Sequence, residues 1–202
     1  MMTTLRFATI NINKMKSLTK QAALEDFIIQ ASLDIVFLQE CGQMNFNFSP
    51  TIRVHNNANF QSTGTALLTR NKVPLTNVVC HPNNRIISAK VANVWIYNIY
   101  APSGSQCRKQ RDEFFAQEVA VEMQGRREHI ICGGDFNCVL YPQDQRPGFN
   151  TSNSLQKLVT GFNFTDVWSD KCFGQRGFTY IRDNCASRLD RFYVTPTLRP
   201  SV

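Results

Sequence analysis

The first forty residues of the chain combine two different periods of apolar and polar positions. Residues 5–13 alternate one by one and predict a strand, whereas the apolar positions of residues 16–31 fit helical spacing. Residues 34–40 have a four-residue apolar centre, which is typical of a strand covered on both faces. The pattern therefore predicts a strand, a helix and a second strand in succession.

Four strand-like runs follow one another in the middle of the chain, after a short predicted strand at residues 52–55. They cover residues 64–69, 73–80, 85–91 and 94–100. The spacers after residues 69, 80 and 91 carry turn residues, among them Asn and Pro. These four runs therefore predict an antiparallel meander.

The second half of the chain mixes helices and strands. Residues 108–125 predict a long amphipathic helix, and residues 128–132 predict a central strand. A short helix at 154–160 and a strand edge at 164–168 follow, and residues 177–181 and 188–194 are interpreted as a paired hairpin. This order predicts an α/β fold of two sheets packed face to face with helices outside, in a single domain of residues 1–202.

Composition places the chain among ordinary globular proteins, with 43% hydrophobic and 18% charged residues. No apolar run approaches the roughly 18 residues of a membrane span, and the N-terminus lacks the apolar block of a signal peptide. The seven cysteines form no CxxC pair or Cys/His cluster that would indicate zinc. We therefore expect reduced thiols, no membrane association, and a location in the nucleus or cytoplasm rather than secretion.

The net charge of +7 favours a polyanionic partner such as nucleic acid. The excess of basic residues is spread thinly, and no basic run exceeds three residues. Charge alone therefore leaves the partner open.

Polar side chains stand at the ends of five predicted strands. The apolar run at residues 130–132 leads into two glycines and then presents Asp135 and Asn137, which share one side of an extended chain. Because strand ends converge on one rim of a sheet, we expect these residues to gather in one pocket. The other strand-end residues are Asn11, Glu40, Tyr100 and Asp190.

The segments that carry these residues resemble the endonuclease/exonuclease/phosphatase superfamily. The motifs occur in this order: Asn-Ile-Asn from Asn11, Leu-Gln-Glu ending at Glu40, Asn-Ile-Tyr-Ala-Pro around Tyr100, Gly-Asp-Phe-Asn around Asp135, Phe-Thr-Tyr around Thr179, and Arg-Leu-Asp ending at Asp190. The sequence is most similar in style to the endonuclease domain of LINE-type (non-LTR) retrotransposons.

The resemblance implies a four-layer α/β/β/α sandwich of two mainly antiparallel or mixed sheets, and hydrolysis of phosphodiester bonds that depends on Mg²⁺ or Mn²⁺. Glu40 and Asn11 would hold the metal ion. Asp135 would orient or deprotonate the attacking water. Asn137 and Asn11 would hydrogen-bond phosphate oxygens, and the Tyr100 hydroxyl would assist. Arg146, Thr179 and Arg188 would contact DNA.

The family completes its site with a C-terminal Ser-Asp-His, whose imidazole the residue at Asp190 orients. No histidine follows Asp190, and two prolines bar residues 195–202 from a central strand. We therefore expect the fold to be truncated at its C-terminus, either because the chain is a fragment of a longer reading frame or because the gene has decayed. The fragment is the preferred interpretation. As written, the chain is expected to bind metal weakly and to cleave poorly.

Three functions remain open. The first is a monomeric DNA endonuclease that nicks target DNA to prime reverse transcription, with a reverse transcriptase domain in the same polyprotein. The second is a phosphatase of the same superfamily. The third is a nonenzymatic DNA-binding remnant, whose affinity for DNA would depend on salt and would survive loss of Glu40.

Overall fold

The computed structural model describes residues 4–15, 17–42, 47–56, 64–126, 129–147 and 150–202. The chain divides into two compact units, Met1–Tyr100 and Ala101–Val202, and each is described by itself.

Unit 1 begins with a four-stranded mixed sheet. It contains β1 (Phe7–Asn11), β2 (Ile35–Gln39), β3 (Ile52–Asn56) and β4 (Ala66–Arg70), in the order β1-β2-β4-β3. β1 and β2 run parallel because helix α1 (Leu18–Gln30) connects them, and the other neighbours are antiparallel. Ser17 caps α1, and the buried side chains of Leu24 and Ile28 lie in the core cluster with those of β2 and β4. The predicted strand–helix–strand start is confirmed, although Lys16 lies outside the described residues.

An antiparallel meander completes unit 1. It consists of β5 (Thr76–Cys80), β6 (Ile86–Val91) and β7 (Val94–Tyr100). The prediction that residues 64–69 open this meander was wrong, because β4 pairs with β2 and β3 instead. Residues 66–69 are all buried, as expected for a strand that has neighbours on both edges and is covered on both faces.

Unit 2 opens with one helical segment of changing pitch. A 3-10 turn (Ser105–Cys107) leads into α2 (Arg108–Glu113), a π-helical stretch (Phe114–Val119) and α3 (Ala120–Glu122). Arg111 is fully buried, and its Nη1 donates to the carbonyl oxygens of Pro102 at 2.7 Å and Gly104 at 3.2 Å. Through Arg111, this helical segment therefore fixes the backbone of Pro102 and Gly104, which follow Tyr100 in the chain.

Two groups of antiparallel strands make up most of the rest of unit 2. The strands and helices are β8 (Ile130–Asp135), β9 (Gln145–Arg146), α4 (Asn153–Gly161), β10 (Thr165–Asp166), α5 (Val167–Lys171), β11 (Tyr180–Arg182), β12 (Cys185–Ser187) and β13 (Asp190–Val194). Within unit 2, β13 lies between β8 and β10, and β12 lies between β11 and β9. Stacked and edge-to-face rings fill the core, with Phe136 in contact with Phe115 and Tyr193.

Three predictions for unit 2 need correction. The predicted hairpin partner of residues 177–181 was wrong, because β11 pairs with β12 and β13 pairs with β8. Only β10 forms a strand within the predicted run 164–168. The chain continues as helix α5, because the Asp166 side chain accepts a hydrogen bond from Ser169 N and caps that helix. The central strand runs on to Asp135, and Glu128 lies outside the described residues. The overall class, α/β with mixed and antiparallel sheets, is confirmed.

Candidate active site

The Glu40 carboxylate is the meeting point of three predicted residues in unit 1. Its Oε1 accepts hydrogen bonds from Asn11 Nδ2 and from the Tyr100 hydroxyl, both at 3.0 Å. Among the described residues, Oε2 accepts no hydrogen bond. Glu40 is half-buried and has a φ of +54°, a left-handed conformation that is uncommon for a residue other than glycine and clusters at functional sites.

The register of two strands explains this meeting. β1 and β2 pair in parallel with Asn11 opposite Gln39, so Asn11 ends its strand beside the residue before Glu40. The loop after β1 continues the pairing, because Ile12 N donates to Gln39 O at 2.9 Å and Lys14 N donates to Glu40 O at 2.7 Å. The Asn11 carboxamide is thereby aligned with the Glu40 carboxylate.

A buried amide pair brings β7 to the same place. Gln39 Nε2 donates to Asn98 Oδ1 at 2.7 Å, and both side chains are fully buried. Asn98 Nδ2 donates to the carbonyl oxygens of Leu38 and Ala66, both at 2.9 Å. Glu40 follows Gln39, and Tyr100 lies two residues after Asn98. The buried amide pair therefore sets the distance between the Glu40 carboxylate and the Tyr100 hydroxyl. The sequence analysis quoted both amides as motif residues and missed this role.

Arg85 is a second contact that the sequence analysis missed. Its guanidinium carbon lies 5.0 Å from the centroid of the Tyr100 ring, and its Nη1 donates to Tyr100 O at 3.3 Å. The ring is thus held by a cation–π contact while its hydroxyl donates to Glu40.

Asp135, Asn137 and Asp190 come together in unit 2. Asp135 ends β8 and pairs with Asp190, which begins β13. Asp135 is 4% exposed, and its Oδ1 accepts a hydrogen bond from Asn137 N at 2.9 Å. Asn137 has a φ of +49°, and its Nδ2 donates to Ala101 O at 2.9 Å. The predicted site residues thus form two groups, one within each unit.

The residues predicted to contact DNA have different environments. Thr179 is exposed, but its Oγ1 accepts hydrogen bonds from Leu189 N at 3.0 Å and Asp190 N at 3.1 Å, so it holds the start of β13. Arg146 is exposed and lies over the Phe178 ring, with its guanidinium carbon 5.4 Å from the ring centroid.

The prediction that Arg188 contacts DNA needs correction. Arg188 is 2% exposed, and its guanidinium donates to Asp144 Oδ1 at 2.9 Å and to both carboxylate oxygens of Asp166, at 2.9 and 2.8 Å. Arg191 joins this buried cluster through Asp144 Oδ2 at 3.1 Å. Burial alone would lower the pKa of Arg188, but the hydrogen bonds and charges of Asp166 and Asp144 outweigh burial and raise it. Arg188 is therefore a structural cation.

The donor set at Glu40 fits a hard divalent cation. Mg²⁺ is usually bound by one or two carboxylates and keeps several waters, and Glu40 supplies one carboxylate. Asn11 turns Nδ2 toward Glu40, while its Oδ1 accepts a hydrogen bond from Asn13 N at 3.0 Å. The described residues contain no group of three or more His, Cys, Asp or Glu that could hold a metal ion. Oε2 of Glu40 is thus the hard oxygen that this pair offers to a cation.

The buried cysteines Cys41 and Cys138 offer no competing nucleophile. All seven cysteines are free thiols. Burial raises the pKa of Cys41 to about 12, and burial likewise raises the pKa of Cys138 to about 12. Neither residue is a thiolate nucleophile at neutral pH.

In the described part of the chain, no helix has the length and apolar character that crossing a membrane requires.

A model of the endonuclease/exonuclease/phosphatase family matches residues 8–202. A search of curated proteins gave no match. Among solved structures, an AP endonuclease from Archaeoglobus fulgidus is similar at a TM-score of 0.81 and 18% identity, over 97% of this chain and 88% of that chain.

Two further solved structures are similar. A 3' phosphatase from Neisseria, bound to a product DNA hairpin, has a TM-score of 0.80 and 18% identity, over 97% of this chain and 88% of that chain. The endonuclease domain of TRAS1, a telomere-specific non-LTR retrotransposon, has a TM-score of 0.62 and 15% identity, over 96% of this chain and 86% of that chain. At such identities the likeness shows a common fold.

Proposed function

Because the chain belongs to the endonuclease/exonuclease/phosphatase family, as its motifs predicted, we propose that it hydrolyses phosphodiester bonds of DNA with a divalent metal ion. The fold is common to nucleases and a phosphatase. One observation carries the proposal: the Asn11 carboxamide and the Tyr100 hydroxyl converge on the Glu40 carboxylate.

Glu40 and Asn11 would hold the metal ion, Mg²⁺ or Mn²⁺. When bound there, the ion would neutralise charge on the phosphate and on the leaving oxygen. The hydrogen bonds to Glu40 Oε1 orient the carboxylate and leave Oε2 for the ion. The Tyr100 hydroxyl would assist the reaction at the phosphate from the position that its hydrogen bond to Glu40 fixes.

Asp135 and Asn137 would act on the water and the phosphate. Asp135 accepts a hydrogen bond from Asn137 N through Oδ1, and its carboxylate would orient or deprotonate the attacking water. Asn137 has two amide protons, of which one is directed to Ala101 O, so the second would donate to a phosphate oxygen. Asp190, beside Asp135, would orient a histidine where one is present.

None of the three histidines in the 202 residues follows Asp190. We therefore expect the 202 residues to turn over slowly when assayed alone. Extending the chain with a strand that carries Ser-Asp-His should raise the rate, and an equal rate for both proteins would contradict this expectation.

DNA is supported as the substrate by two exposed arginines on a half-buried ring in unit 2, which we name the Phe178 patch: Arg146, Arg176 and Phe178. Both guanidinium carbons lie over the Phe178 ring, at 5.4 Å and 6.0 Å from its centroid. Arginines beside an aromatic ring suit phosphates and stacked bases. The net charge of +7 agrees with this choice.

The finer role that we propose is nicking of target DNA to prime reverse transcription. Its support is the similarity to the TRAS1 endonuclease domain together with the motifs Asn-Ile-Tyr-Ala-Pro and Gly-Asp-Phe-Asn. A phosphatase activity is the second candidate, because the 3' phosphatase from Neisseria has the higher TM-score of the two.

The test compares nicking of a supercoiled plasmid with release of phosphate from a 3'-phosphorylated oligonucleotide, each with MgCl₂ and with EDTA. We expect Mg²⁺-dependent nicking that Glu40→Gln abolishes. Glu113→Gln is the matched control, since this carboxylate is about half exposed and pairs with Lys109.

Each other outcome decides between the candidates. Phosphate release without nicking would favour the phosphatase. Salt-sensitive DNA binding that survives Glu40→Ala, with no turnover in Mg²⁺ or Mn²⁺ even after the histidine-bearing extension, would identify a binding remnant and overturn the proposed hydrolysis.

A further inference from the structure

Three consecutive carbonyl groups in unit 1 turn toward one ammonium group. Lys20, in the first turn of α1, donates from Nζ to Ile12 O, to Lys14 O at 3.1 Å and to Asn13 O at 3.3 Å. An ammonium has three protons and no acceptor, so these carbonyls account for its full donor capacity. No carboxylate pairs with Lys20 in the described part of the chain.

The loop after β1 needs this arrangement. Asn13 has a φ of +44° and Lys14 a φ of +63°, two left-handed residues in succession that a chain of L-residues rarely adopts. The left-handed turn directs the three carbonyl oxygens to one side, where their dipoles would repel one another without a cation. The Lys20 charge therefore stabilises a strained loop that is otherwise disfavoured.

The opposite side of the same loop is bonded to the candidate metal ligands. Lys14 N donates to Glu40 O at 2.7 Å. Asn13 N donates to Asn11 Oδ1 at 3.0 Å, and this bond turns the carboxamide so that its Nδ2 reaches Glu40 Oε1. A shift of the loop would move both the Glu40 backbone and the Asn11 side chain.

We propose that Lys20 is a positioning residue for the Asn11–Glu40 pair and thereby sets the affinity of this pair for a divalent cation. The inference rests on the proposed function, because Glu40 is taken as the metal ligand. Lys20 acts through the loop and does not touch the ion or the substrate. A purely structural role would instead stabilise α1 and leave cation binding unchanged.

The test measures binding of Mn²⁺ to the purified protein by electron paramagnetic resonance, without substrate. Lys20→Met keeps most of the aliphatic stem and removes the charge and all three donors. We expect its Mn²⁺ affinity to fall by about tenfold or more, as for residues that orient a metal ligand. Lys20→Arg keeps a cation with several donors and should restore most of the affinity.

Lys109→Met is the matched control, because Lys109 is 91% exposed and removal of its charge should leave Mn²⁺ binding unchanged. Wild-type affinity in Lys20→Met, or equal loss in Lys20→Arg, would overturn the inference. If near-ultraviolet circular dichroism shows that Lys20→Met does not fold, Lys20→Gln, which keeps two N–H donors, takes its place. Equal Mn²⁺ binding by wild type and Glu40→Gln would overturn the proposed metal site itself, which distinguishes the two failures.

Discussion

Replacing Asn98 with leucine should destabilise the protein and disturb the Glu40–Tyr100 pair together. Asn98 is fully buried and makes three hydrogen bonds, one to Gln39 and two to backbone carbonyls of β2 and β4. Leucine has a similar size but can make none of them. The variant thus removes the polar contacts while it preserves most of the packing.

The magnitude follows from the groups that lose a partner. Two buried carbonyls, of Leu38 and Ala66, lose this donor at about 1–3 kcal/mol each. Gln39 Nε2 loses its shortest bond but keeps Thr9 Oγ1 at 3.0 Å and Phe37 O at 3.2 Å. Burial of the added apolar surface offsets part of this cost, at about 25 cal/mol per Å². We expect a net loss of about 3 kcal/mol, which lowers Tm by roughly 6–12 °C in a chain of this length.

Urea unfolding of four proteins measures this effect: wild type, Asn98→Leu, Gln39→Leu and the double variant. The double variant should be more stable than the sum of the single losses predicts, by about 0.5–3 kcal/mol, because each single variant leaves the other amide unpaired. Asn153→Leu, at an exposed position, is the control and should change stability by less than about 0.5 kcal/mol. An Asn98→Leu stability within error of the control, or strictly additive losses, would refute the role of the amide pair.

The remaining predictions concern charge and the hydroxyl at the site. Tyr100→Phe should keep the ring contact and lower kcat/KM by about 10–100-fold, because Glu40 loses one of the two donors that orient it. The lost hydrogen bond should also cost about 1.5–3 kcal/mol in a melting assay. Burial would raise the pKa of Asp34, but Lys72 and neighbouring donors outweigh burial and lower this pKa below its usual value. The charged form therefore stabilises the fold at neutral pH, and this contribution is lost as pH falls through the lowered pKa. Asp34→Asn should destabilise the protein at pH 7, and its difference from wild type should shrink as pH falls in urea titrations. Arg188→Met should lower the free energy of unfolding in urea by about 3–5 kcal/mol, because it leaves buried carboxylates uncompensated. Arg146→Met should weaken DNA binding in fluorescence anisotropy and change the free energy of unfolding by less than about 0.5 kcal/mol.

The part of the candidate site that the sequence predicted depends on short-range rules. Asn11 and Glu40 end a parallel strand pair, and parallel strands place their carboxyl ends at one edge. The residue types at these ends then indicate the chemistry. The α/β class and the family followed from the order of the motifs.

The rest depends on contacts that no local pattern records. Arg188 reaches Asp144 and Asp166 across 44 and 22 residues of sequence, so its burial has no signature in the residues beside it. The true partner of β11 did have a signal, because Asp183, with a φ of +51°, and Asn184 form a two-residue turn typical of a tight hairpin. The longer run at residues 188–194 was instead interpreted as the partner of residues 177–181.

The π-helical stretch Phe114–Val119 gives this chain a place where its length can change. An α-helix that loses one residue turns everything beyond the deletion by about 100°, which here would move either Arg111 or Val119 out of its buried position. A π turn closes its hydrogen bonds over five residues instead of four. Removal of the exposed Ala116 can therefore be absorbed by a return to α pitch, so relatives one residue shorter at this point could retain the same packing on both sides of it.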